Sequence, residues 1–125
     1  MQIAKLELKN INPPHFKEYI IKINDDGLEV AWGRISAQKR SKSIKANGNL
    51  YNELKKVVKT RLEHDYTISA VYVYDIKAYY ILENLKYDFG YPRYGSNIRG
   101  LFNPIISIVE REYEPEKCTT LRRRF

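Results

Sequence analysis

Apolar and polar residues alternate over residues 3–9, where Ala4, Leu6 and Leu8 interleave with Lys5, Glu7 and Lys9. A period of two puts every second side chain on one face of a half-buried strand. Pro13-Pro14 then interrupt residues 10–15, and prolines cannot donate to a ladder, so this stretch reads as a loop. Residues 18–24 resume the alternation with Tyr19, Ile21 and Ile23 on one side. Asp25-Asp26-Gly27 has the chemistry of a tight hairpin turn. The returning strand, residues 28–35, puts Leu28, Val30 and Trp32 on one face and Glu29, Ala31 and Gly33 on the other. A polar turn over residues 36–43 leads to a short strand near 42–46.

Beyond Asn47-Gly48-Asn49 the period lengthens. Asn49 suits a helix N-cap, and Glu53 puts a carboxylate in the first turn, where the helix dipole favours it. Leu50, Tyr51, Leu54, Val57, Val58 and Leu62 recur at helical spacing, which predicts an amphipathic helix over about 50–64. Residues 67–74 alternate again and are rich in β-branched and aromatic types, predicting another strand. Asp75 suits a second N-cap, and Ala78, Ile81, Leu82 and Leu85 predict a helix over 76–87. Residues 89–100 read as a loop. Asn103-Pro104 could open a further helix, but Ile105, Ile106, Ile108 and Val109 are equally compatible with a strand. The expected architecture is a single α+β domain, a twisted antiparallel sheet with the 50–64 helix packed on it. Residues 1–75 form its sheet-and-helix core, and residues 76–125 a mixed C-terminal extension on the same domain.

Charge changes this picture more than composition does. The chain has 125 residues and a net charge of +7, yet residues 34–61 alone hold nine cations and one anion, Glu53, so the remainder is nearly neutral. A basic segment on a neutral body is the footprint of a polyanion-binding face, although a solvated lysine-rich surface would share the composition. One cysteine, Cys118, excludes an internal disulfide framework and a Cys cluster for structural zinc. No apolar run has the length of a signal-peptide core or a membrane span, so no membrane association is expected. The expected setting is intracellular: cytoplasmic or nucleoid-associated in a bacterium, nuclear in a eukaryote. His15 and His64 are the only histidines, and no phosphate loop, metal-ligand spacing or nucleophile elbow is present. A non-enzymatic protein without a cofactor is the expectation.

Trp32-Gly33-Arg34, containing the only tryptophan, closes the hairpin just before the basic loop and helix. From about Phe16 to Tyr66 this order resembles the WGR domain: a tyrosine-bearing strand, the triad with Ile35, the Lys42 and Lys45 region, the helix from Leu50, and Tyr66 after it. Two departures stand out. Ser36, Ala37 and Gln38 follow the triad where the family usually has glycines, and Asp65 occupies the place where a glycine commonly precedes the tyrosine. The resemblance implies nucleic-acid contact, known best from poly(ADP-ribose) polymerases, with Trp32 stacking on a sugar or base at a strand end and Arg34 on phosphate. The alternative role for Trp32 is a core aromatic beside Val30.

Nucleic acid, with DNA favoured over RNA, is therefore the expected partner. Its binding residues would be Trp32, Arg34, Lys39, Arg40, Lys42, Lys45, Lys55, Lys56 and Lys59. Neutralising about four to six phosphates implies a log–log salt slope near −4 to −5 on duplex DNA. The rival expectation is a protein-interaction or assembly subunit acting through the tyrosine-rich C-terminal half. There Tyr87, Tyr91, Arg93 and Tyr94 are the candidate contacts, whereas Tyr72, Tyr74, Tyr79 and Tyr80 suit packing.

Overall fold

The computed structural model describes residues 2–89 and Ile98. Strands β1 (Gln2–Asn10), β2 (Lys17–Asn24), β3 (Gly27–Arg34), β4 (Arg40–Lys45) and β5 (Thr67–Val73) form one antiparallel sheet in the order β4-β3-β2-β1-β5. Helix α1 (Leu50–Glu63) lies between β4 and β5 in sequence, and α2 (Lys77–Phe89) follows β5. The chain is thus a small α+β domain.

Strand pairing puts like residues side by side. A two-residue turn at Asp25-Asp26 sets the β2–β3 register, so that Ile23 faces Leu28, Ile21 faces Val30 and Tyr19 faces Trp32. In β1 these rows continue through Ala4, Leu6 and Leu8. Beyond β1 they reach Val73, Val71 and Ile68, past an irregularity at Glu7/Leu8. One face of the sheet is therefore apolar. Leu54, Val58 and Leu62 of α1 and Ala78, Leu82, Leu85 and Phe89 of α2 join these side chains in a single core, together with Ile98. Burying a side chain of this size contributes about 1.5–3 kcal/mol. The other face carries Lys5, Glu7, Lys9, Lys22, Glu29, Ser41 and Ser43, as alternation requires.

The caps follow their local chemistry. Asn49 Oδ1 accepts from the Asn52 backbone N–H at 3.0 Å, and Asp75 Oδ1 accepts from that of Lys77 at 3.0 Å. Gly27 is required by close approach: a Cβ there would stand 2.4 Å from the Ile44 carbonyl oxygen. Ser36 (φ +65°) and Asp65 (φ +67°) hold left-handed backbone without being glycine.

Two expectations need correction. Phe89 closes α2, because its ring is buried one turn beyond Leu85, rather than opening a loop. Tyr80 does not pack in the core; it is 71% exposed, since the buried stripe of α2 runs through Ala78, Leu82 and Leu85. The expectations for residues 90–97 and 99–125, among them Tyr91, Arg93, Tyr94, Cys118 and the 105–113 segment, lie outside the described residues.

Candidate functional site

Helix α1 crosses the apolar face from one end of the sheet to the other. Leu50, in its first turn, lines a cleft with Asp25 and Asp26, and Arg61, in its last turn, lines a cleft with Trp32. At that second end the inner face continues past the helix, and there the candidate residues gather.

Tyr19 and Trp32 lie side by side as cross-strand partners, with ring centroids 6.1 Å apart and planes 20° from parallel. Tyr66 meets Tyr19 edge-on at 6.3 Å. The Arg61 guanidinium sits over both tyrosine rings, 4.9 Å from the Tyr19 centroid and 5.5 Å from that of Tyr66. This is cation–π geometry, and it anchors the cation above the rings. Lys42, opposite Val30 in β4, forms the remaining side of a cleft of about 240 Å3 lined by Tyr19, Trp32, Lys42 and Arg61. Among the described residues no carboxylate lines it. Burial pushes the Tyr19 phenol up while Arg61 pulls it down, and the net shift is upward, so its hydroxyl keeps its proton at neutral pH.

Two further cations flank the indole on the same face. Arg40 faces Trp32 across β3–β4, and Arg34 follows Trp32 by two residues and faces Lys17 across β2–β3. Trp32 is half-buried: it packs against the core without being sealed in it. A ring platform rimmed by cations binds a flat ligand that carries negative charge, by stacking on one part and charge-assisted hydrogen bonds on the other.

The other basic residues do not join this group. Lys39 was expected to contact phosphate; instead its Nζ donates to the carbonyls of Arg34 (2.8 Å) and Ala37 (2.7 Å) and pairs with Glu18 at 2.9 Å. Three partners occupy the three donors of an ammonium. The Lys39–Glu18 hydrogen bond also holds the Glu18 carboxyl below its ordinary value. Gly33 makes this possible, because a Cβ there would meet Lys39 Cδ at 3.2 Å and the Gln38 carbonyl at 3.3 Å. Lys45 faces Gly27 on the opposite face of the sheet, near the hairpin turn. Lys55 pairs with Asp88 at 3.3 Å and Lys56 with Glu53 at 3.4 Å; Lys59 is exposed. Of the predicted set, Trp32, Arg34, Arg40 and Lys42 come together, whereas Lys39, Lys45, Lys55, Lys56 and Lys59 do not.

Arg61, Tyr19, Tyr66 and Lys17 were missed as site residues. Tyr19 had a partial signal: it lies on the same apolar face as Ile21 and Ile23, and once the turn is known to be Asp25-Asp26, counting pairs it with Trp32. Arg61 had a weaker signal: it is the last cation of α1 and precedes the buried Leu62. Tyr87, named as a partner contact, is 88% exposed in the last turn of α2. Among the described residues, no group of three His, Cys, Asp or Glu side chains could hold a metal ion, and no helix is long and apolar enough to cross a membrane. A scan against family models and searches of curated proteins and of solved structures find no match to this chain.

Proposed function

We propose that the protein is a non-catalytic nucleic-acid-binding module, with DNA favoured over RNA. Trp32 receives a base or sugar, and Lys42, Arg40, Arg34 and Arg61 hold the neighbouring phosphates. The observation that carries this reading is the convergence of two stacked rings and unopposed cations in one cleft without a carboxylate. The resemblance to WGR domains supports it. Of the residues that depart from the family pattern, Ser36 and Asp65 fall where the backbone is left-handed, the conformation a glycine adopts at least cost, while Ala37 and Gln38 do not.

Arg34, Arg40, Lys42 and Arg61 give four cations at the cleft to neutralise phosphate, so the salt slope on duplex DNA should be about −3.6, at the shallow end of what four to six phosphates imply. Fluorescence anisotropy at several ionic strengths measures it, and a flat dependence would rule the proposal out. Trp32→Ala should weaken binding by about 1–3 kcal/mol if a base stacks there.

A second reading, a protein-interaction surface on α2, draws on one observation. Ile76, Tyr80 and Tyr87 are 49%, 71% and 88% exposed, and their spacing of four and seven residues returns them to one side of the helix. Replacing both tyrosines by serine should leave oligonucleotide binding unchanged and abolish any interaction that uses this stripe.

A further inference from the structure

The loop at residues 11–16 springs from the same end of the sheet as the cleft. Asn10 faces Lys17 across β1–β2, and Lys17 faces Arg34 across β2–β3, two residues beyond the Tyr19–Trp32 pair. The loop shows apolar side chains to solvent: Ile11 is 61% and Phe16 48% exposed, although the core lies only a few residues away. Its backbone is braced in that arrangement. His15 N–H donates to the Asn12 carbonyl at 2.8 Å, Ile35 N–H to the Phe16 carbonyl at 3.0 Å, and Asn12 N–H to Asn10 Oδ1 at 3.2 Å. Asn10 is buried, and its Nδ2 donates to the His64 carbonyl at 3.2 Å, which ties the loop to the end of the helix that carries Arg61.

Outward from the cleft this face presents a ring pair (Trp32 and Tyr19) and then a cation pair (Arg34 and Lys17), and the loop at the same end of the sheet exposes Phe16 and Ile11. Three residues of extended chain separate Tyr19 from Phe16, about 10 Å. Alternation of stacking surfaces with backbone-tracking cations is what a single strand of nucleic acid fits, since each base has a free face and each linkage a charge. The cleft itself, about 240 Å3, is smaller than the roughly 300 Å3 at which ligand pockets begin. A base inside a duplex, stacked on both faces and paired at its edge, cannot lay a face on Trp32 without leaving the helix, whereas a base of a single strand can.

Resting on the nucleic-acid reading above, we infer that the ligand is an unpaired strand: one base enters the cleft between Trp32 and Arg61, the adjoining phosphates lie on Lys42, Arg34 and Lys17, and the next base rests on Phe16 and Ile11. The sugar is left to the test, because stacking and phosphate contacts are common to DNA and RNA.

The test uses the full chain with a short oligothymidylate, the matching oligouridylate, a blunt duplex of equal length, and vesicles of phosphatidylcholine with phosphatidylserine. Trp32 is the only tryptophan, so quenching of its emission reports stacking directly. The expected result is at least tenfold tighter binding of one or both single strands than of the duplex, with quenching, and the tighter of the two strands identifies the sugar. Ile11→Ser with Phe16→Ser should weaken strand binding by about 5- to 150-fold and leave duplex binding unchanged. Lys17→Met should reduce the strand's salt slope by about 0.7 between roughly 50 and 200 mM salt. Should the duplex bind as tightly as either strand, or the wild-type chain bind strands without quenching, the inference falls while the nucleic-acid reading stands. Absence of binding to every oligonucleotide overturns both, and vesicle binding that the double variant alone loses would reassign the loop to a membrane surface.

Discussion

The two ends of the helix-covered face hold clefts of opposite character. At the hairpin end, about 530 Å3 of open space is lined by Asp25, Asp26, Lys45 and the backbone leading into α1. There the Asp25 carboxylate pairs with Lys77 at 2.5 Å, and the Asp26 backbone carbonyl accepts from Ala46 N–H at 3.0 Å. At the Trp32 end the space is less than half as large, yet its cations face rings and solvent rather than carboxylates. A group already satisfied inside the protein has little left to offer a ligand, whereas a desolvated ring surface beside unopposed charge has both stacking and electrostatic attraction available.

That contrast can be broken at several levels, the largest through stability. Leu62 is fully buried beneath the Arg61 end of α1, so Leu62→Ala should destabilise the fold by about 2–5 kcal/mol. Leu50, half-buried at the hairpin end, should cost about 1 kcal/mol when cut to alanine. Urea unfolding of the two variants checks the ranking, and equal losses would mean that the two ends are packed alike. Next come the charges. Lys42→Glu should weaken oligonucleotide binding about tenfold or more at low salt, whereas Lys45→Glu, three residues along the same strand but on the other face, should change it only about twofold. Comparable losses would show that charge, and not the cleft, governs binding.

The smallest effect is in acid. The Tyr51 hydroxyl donates to Asp88 Oδ2 and, with Lys55 adding a second hydrogen bond, holds the Asp88 carboxyl below its ordinary value of 3.8. The Tyr51 phenol is pushed up, by burial first and by the same carboxylate. Because the folded-state pKa lies below the unfolded one, this stabilisation is present above about pH 4 and is lost as the pH falls through the lowered value. The Lys55–Asp88 pair is well exposed, so the loss should be a few tenths of a kcal/mol. Asp88→Asn should flatten the decline of melting temperature below pH 4, and an unchanged decline would assign it to other carboxylates such as Glu18, which Lys39 also holds low.

Much of the fold was legible because it rests on local chemistry. Periodicity and turn residues marked the five strands to within two residues at each end, and Asn49 and Asp75 marked where both helices begin, whereas Asp25-Asp26-Gly27 marked a hairpin without saying which two residues turn, so the register that sets Tyr19 beside Trp32 came from the structure. The site was legible only in part. Lys39, Lys42 and Lys45 look alike in sequence, yet one is engaged by Glu18 and two carbonyls, one lines the cleft and one lies on the opposite face. Gly33 reads as a source of backbone freedom, and its φ of +156° is one that side-chain-bearing residues rarely adopt; it also leaves room for the Lys39 side chain on its way to Glu18.

For the described residues the sequence by itself determined the strands, the two helices and the existence of the hairpin, since these follow from periodicity and turn residues. Tertiary structure alone decided which cations face the indole. That choice depends on the β3–β4 register, on the direction in which α1 crosses the sheet and on which carboxylates come within reach of each lysine, and all three are set by contacts between residues far apart in sequence.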